Sequence, residues 1–278
     1  MKASFLGLIK RYRVAAYFIL AFAISWGGSL AVLGPEFFQG RAYQKADWPL
    51  TLLAMLLGPS MSGLILTRVV DGRAGFLGLL GRMRRSRVGR RWYLVAVLTF
   101  PVLISALLMA LSRFVSLEFT PSFMTLGLIY GLLAGFFEEI GWMGYAYPKM
   151  RLKYSVLAAS LILGFAHGVW HIVADYFGSS RALGGYWLPH FALMWCFGMV
   201  ALRVIIVWIY ENTQSVLLAQ LAHASSTGFL IVLSPSPIAP ASETLWYGVY
   251  GILLWAVAAV IIVKKRTLFL NSQRGVSS

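Results

Sequence analysis

Residues 122–146 read SFMTLGLIYGLLAGFFEEIGWMGYA, and the only charges in that stretch are the adjacent carboxylates Glu138 and Glu139. An apolar helix needs about 20 residues to cross the hydrocarbon of a bilayer, and this run is long enough. Gly127, Gly131, Gly135 and Glu139 recur at four-residue steps and so share one helical face. Such a ridge of small residues lets a second membrane helix approach closely. Neighbouring residues on a helix point about 100° apart. Glu139 therefore belongs to the packing ridge, and Glu138 is left to face a cavity.

Working outward, runs of the same kind recur along the whole chain, at roughly 14–33, 50–70, 92–112, 156–178, 188–210, 213–233 and 244–263. Of its 278 residues 59% are hydrophobic and 12% charged, against about a quarter charged in soluble domains. The expected fold is all-α: one polytopic transmembrane bundle of about eight helices filling residues 1–278. Helices four to seven would enclose the site. No repeat of 20–50 residues appears, nor an inverted pair of broken helices. Cys196 is the single cysteine and lies inside a span, so no intrachain disulfide is possible.

The net charge of +15 follows topology rather than nucleic acid. Nineteen of the 24 Lys and Arg fall in the two tails and in the loops after spans two and four. Arg41, Lys45, Arg113 and Arg181 fall on the other side, and Arg203 lies within span six. Alternate basic loops place both termini in the cytoplasm, in the cell (plasma) membrane. The strongest contribution is the basic cytoplasmic loop 71–91, expected to lie partly against anionic headgroups. The basic start and apolar run through Ala21-Phe-Ala23 have the look of a signal peptide. The apolar run continues past that point, so an uncleaved first span is expected.

Ionisable side chains inside a bilayer are costly and read first as functional. Here they gather in four consecutive spans: Glu138 and Glu139, then His167 and His171, then Arg203, then His223. His167 and His171, four apart, share a face. Trp92, Trp142, Trp187 and Trp246 read as interface anchors, His190 as interfacial, and Asp175 as part of the outer boundary.

Three ordered segments then carry a resemblance. Glu138-Glu-Ile-Gly-Trp-Met-Gly-Tyr-Ala-Tyr-Pro148 resembles the first motif of the CAAX-protease and bacteriocin-processing family, the type II CAAX endopeptidases. Leu161-Ile-Leu-Gly-Phe-Ala-His-Gly-Val-Trp-His171 resembles the second, and the segment from Trp208 to Thr227 the third. The likeness covers about residues 120–230, a peptidase-like motif core. It implies peptide-bond hydrolysis within the membrane. Glu138, assisted by His171, would activate a water, and His223 and Thr227 would stabilise the oxyanion. It leaves open a Zn²⁺ held by Glu138, His171 and His223, with His167 as a fourth ligand, although no His-Glu-x-x-His helix is present. Two positions depart from the family pattern: Met143 stands where an Arg is usual, and Thr227 where an Asn is usual. With that Arg missing, Arg203 is the expected partner of Glu139.

The implied partners are membrane lipid and a peptide or protein segment at the membrane, prenylated or leader-bearing by analogy. The site would open to cytoplasm or lipid. Two other functions stay open on the residues alone: a catalytically silent scaffold or immunity protein, and a small proton-coupled transporter.

Overall fold

The computed structural model describes residues 5–270. Residues 1–4 and 271–278, with Lys2, Arg274 and the extreme ends whose side of the membrane was read from charge, lie outside the described residues. Among the described residues there is no strand. The principal helices are α1 (Arg13–Leu33), α2 (Trp48–Val70), α3 (Gly72–Met83), α4 (Arg90–Phe114), α5 (Leu126–Gly141), α6 (Val156–Trp170), α7 (Ile172–Leu183), α8 (Met199–Thr213), α9 (Val216–Val232) and α10 (Pro240–Lys264).

Among the described residues six helical runs are long and apolar enough to cross a membrane, and α6 and α9 are shorter apolar helices. One of the six, Ile172–Thr213, is not a straight rod. Gly184, at φ +54°, turns the chain back after α7, and α8 returns along α6. Since α6 runs on into α7 across His171, the described residues make eight passes. The basic segment 71–91 differs from the expected loop, because most of it is the helix α3. Leu79 is fully buried, Arg82 donates to the Gly144 carbonyl at 2.8 Å, and Lys149 pairs with Asp71 at 2.5 Å. An apolar anchor, one hydrogen bond and one ion pair thus dock this helix beneath the end of α5.

Two packing features position the site. The glycine ridge of α5 lies directly on the backbone of α9: a Cβ at Gly135 would come within 2.3 Å of the Gln220 carbonyl oxygen, and one at Gly131 within 2.4 Å of that of Ala224. Neither atom can rotate away. Gly135→Ala is therefore expected to force α5 and α9 apart, at the cost of about 1–3 kcal/mol typical of overpacking. A thermal melt in detergent should fall by several degrees, and an unchanged melt would show that the two helices are not in this contact. The second feature is α8, apolar nearly all round and buried from Met199 through Val207. It is the central post of the bundle, which explains how Arg203 comes to be fully buried.

Candidate active site

Glu138 and Glu139 sit near the end of α5, both buried. Directly after it, Trp142–Ala146 form a π-helix, a local widening frequent at functional sites. This turn carries Trp142 inward. Its ring is fully buried, its indole N–H points at Glu138 Oε2 at 3.3 Å, and its ring centroid lies 4.9 Å from that of His167. The reading of Trp142 as an interface anchor is corrected: it is a wall of the site. Trp246 is likewise fully buried.

His167 Nε2 lies 2.8 Å from Glu138 Oε2. On the other side of the ring, Arg203 Nη2 lies 2.7 Å from His167 Nδ1. A guanidinium has only donors, so Nδ1 must accept and the ring proton must sit on Nε2. His167 therefore donates to Glu138. Arg203 also donates through Nη1 to both oxygens of Glu139, each at 2.8 Å, closing a fully buried ion pair. His223 Nδ1 lies 2.7 Å from Glu139 Oε1. The carboxylate paired with Arg203 is the acceptor there, so His223 carries its proton on Nδ1. Its Nε2 lone pair is left facing Glu138 Oε2 at 3.9 Å.

The result is two layers built from four helices. Below, Arg203 and Glu139 neutralise one another and, through opposite ring edges, set the tautomers of both histidines. Above, Glu138 receives two N–H donors at Oε2, and its Oε1, together with His223 Nε2, is left for a ligand that can donate. A water molecule has that chemistry.

His171 does not join this cluster, which corrects the expectation that it assists Glu138. It caps the end of α6, one turn beyond His167, and its ring stacks on Trp195 with centroids 3.5 Å apart. Both His171 and Thr227 line a cavity of about 420 Å³. That cavity leads away from the carboxylates toward Trp48, His190 and Glu243, at the ends of the helices opposite the basic segments. His190, read as interfacial, is buried against it at 3% exposure. Met143, where an Arg is usual, is fully buried; the charge that pairs with Glu139 comes instead from α8.

Glu138, His167 and His223 offer ligand atoms within 4.8 Å of one another, the spacing of a metal site. Their proton inventory does not match that spacing. With Arg203 on Nδ1, His167 presents N–H rather than a lone pair, so a metal would find two protein ligands where zinc takes at least three. The set expected at the outset, with His171 in place of His167, is not the set the helices bring together.

Residues 120–229 match the family model described as type II CAAX prenyl endopeptidase, Rce1-like. The CAAX prenyl protease 2 of Methanococcus maripaludis is 29% identical over 143 residues, covering 50% of this chain and 49% of that protein. The chain thus spans about half the length of the curated relative it matches. Every group of the two layers lies inside the matched segment.

Proposed function

We propose, from the match of residues 120–229 to the model of the type II CAAX prenyl endopeptidase, Rce1-like family, that this chain is an intramembrane endopeptidase acting on a peptide or protein segment at the membrane. By likeness to the family its substrates are CAAX-type or leader-bearing. One observation carries the reading: a carboxylate and two imidazoles from three separate helices, all buried, meet at 2.8 and 3.9 Å.

The chemistry follows from the proton positions. Glu138 Oε1 takes a proton from a water whose second hydrogen bonds to His223 Nε2. The water oxygen bonds to the scissile carbonyl carbon, and the carbonyl electron pair moves to oxygen. Thr227, one turn beyond His223 and lining the cavity, donates its hydroxyl to that oxyanion. The carbonyl re-forms as the C–N bond breaks, and Glu138 returns its proton to the departing amine. His223 in this tautomer accepts, so its part is to orient the water rather than to hold the oxyanion. His167 steadies the Glu138 carboxylate, and Glu139 and Arg203 act through the two rings. The donor set supports a metal-free reaction, and the alternating basic loops support a place in the cell membrane with both termini cytoplasmic.

A single experiment tests activity and metal together. Membranes carrying the chain are incubated in H₂¹⁸O, with and without 1,10-phenanthroline, beside membranes carrying Glu138→Gln. New carboxyl termini bearing one ¹⁸O are expected with the wild-type chain alone, and the chelator should change their yield by less than about twofold, because the water is activated by side chains. Identical termini from the two proteins would overturn the peptidase reading. Termini abolished by the chelator and restored by zinc would overturn the metal-free mechanism.

A further inference from the structure

The cavity that starts at Thr227 and His171 has a second polar end that the hydrolysis does not use. Two carboxylates line it, Asp175 and Glu243. Asp175 is fixed by two indole N–H groups, Trp187 on one oxygen and Trp195 on the other, both at 2.8 Å. Those bonds orient the carboxylate but bring no positive charge. Glu243 has His190 at 3.8 Å as its nearest ionisable partner. No Lys or Arg is among the described residues lining this cavity, although the chain carries 24 of them against nine Asp and Glu.

A second observation is independent of the acids. His190 is 97% buried by its 3% exposure, lines the cavity, and has both ring nitrogens without a hydrogen-bond partner. The hydroxyls of Ser226 and Tyr250, also buried and lining it, interact with each other. Buried polar groups are nearly always paired, so an imidazole with both nitrogens orphaned at the edge of a void points to something that fills it. The two carboxylates only accept and the imidazole offers a lone pair, so the matching occupant is a donor and positive. The indole of Trp48 and the phenol ring of Tyr247 add faces that favour a cation. The three ionisable groups Asp175, His190 and Glu243 do not form a set within 4.8 Å, as one metal ion would need, so the spread suits an organic cation.

We propose that the outer end of this cavity binds a Lys or Arg side chain, or a free amino group, of the peptide substrate, between Asp175 and Glu243. This deepens the peptidase reading and rests on it: a chain held with its scissile bond at Glu138 continues past Thr227 into this space. At about 420 Å³ the cavity lies in the range of pockets for small ligands, about 300–1,000 Å³. Glu243 lies outside the segment that matches the family model, so the preference belongs to this chain rather than to the family's shared core.

The test reads binding without turnover, on the full chain carrying Glu138→Gln in detergent. The probes are acetyl-Ala-Lys-Ala-amide and acetyl-Ala-norleucine-Ala-amide, titrated calorimetrically. The lysyl peptide is expected to bind at least tenfold more tightly, and adding Glu243→Gln should bring the two within threefold of each other. Equal binding of the two peptides would overturn the subsite, as would a preference that survives in both Glu243→Gln and Asp175→Asn. Because nothing is cleaved, a lysyl preference in a protein that yields no ¹⁸O-marked termini would overturn the peptidase reading and leave the subsite standing.

Discussion

Glu138→Gln is expected to lower turnover by about a thousandfold or more while the protein accumulates and melts as the wild type does. The size follows from what the substitution removes. General-base action contributes about 10² to 10⁴ in rate, and here Glu138 also returns the proton to the leaving amine. The fold is spared because the Gln carbonyl can take the place of Oε2 and still accept from His167 at 2.8 Å and from Trp142 at 3.3 Å. The amide NH₂ then stands where Oε1 did, a donor facing water instead of an acceptor. Glu138→Asp makes the complementary measurement. It keeps the acid but withdraws it by about one C–C bond, roughly 1.5 Å, so its rate should fall between the two. The check is initial rate per folded molecule on whichever peptide the terminal mapping yields. A Gln variant within tenfold of wild type would assign the base elsewhere, and a Gln variant that fails to accumulate would show that Glu138 holds the fold.

These groups differed in how far they could be read from the chain. The helical bundle was legible because apolar length reports what a bilayer enforces, a span of about 20 residues. The α5–α9 contact was legible too: glycines at four-residue steps announce a close helix partner, and Gly131 and Gly135 find it in the backbone of α9. Arg203 needed an anion inside the same bundle, and span four held the adjacent pair Glu138 and Glu139. The choice between His167 and His171 was harder, since spacing puts both on one face and only depth separates them. At about 1.5 Å per residue, His167 lies some 16 Å from the start of α6 and His171 some 22 Å, against some 18 Å for Glu138 from Met150. Span ends read from sequence are loose by a few residues, which is about the same 6 Å, so the count could not decide. The outer cavity was illegible for another reason. Asp175, His190 and Glu243 each sit near a span end, where a polar residue ordinarily meets the interface. They are drawn together by the reversal at Gly184 and by a second π-helix, Ala192–Gly198, which carries Trp195 onto Asp175 and His171. Neither feature has a pattern in the residues that a period of 3.6 would reveal.

Arg203→Leu is expected to be the most damaging single change in the protein, and the manner of its rescue separates its two jobs. Removing one partner of a buried ion pair costs about 3–5 kcal/mol, because the remaining charge is left desolvated. Glu139 is fully buried, so the variant should fail to accumulate in the membrane. Arg203→Leu combined with Glu139→Leu removes both charges and should recover a large part of the wild-type level by immunoblot. Activity should not return with it. In the double variant nothing holds the proton on His167 Nε2 or on His223 Nδ1, and both rings are free to present Nε2 lone pairs toward Glu138. Arg203→Lys should fall short as well, since a single ammonium cannot reach both oxygens of Glu139 and the His167 ring at once. The freed tautomer has a further consequence that a purely structural role for Arg203 would not produce. With three lone pairs now converging within 4.8 Å, the double variant should retain zinc through purification at near one equivalent, while the wild type retains little. Recovery of both level and rate in the double variant would reduce Arg203 to a counterion. Equal zinc in the two proteins would show that the guanidinium does not govern the state of His167.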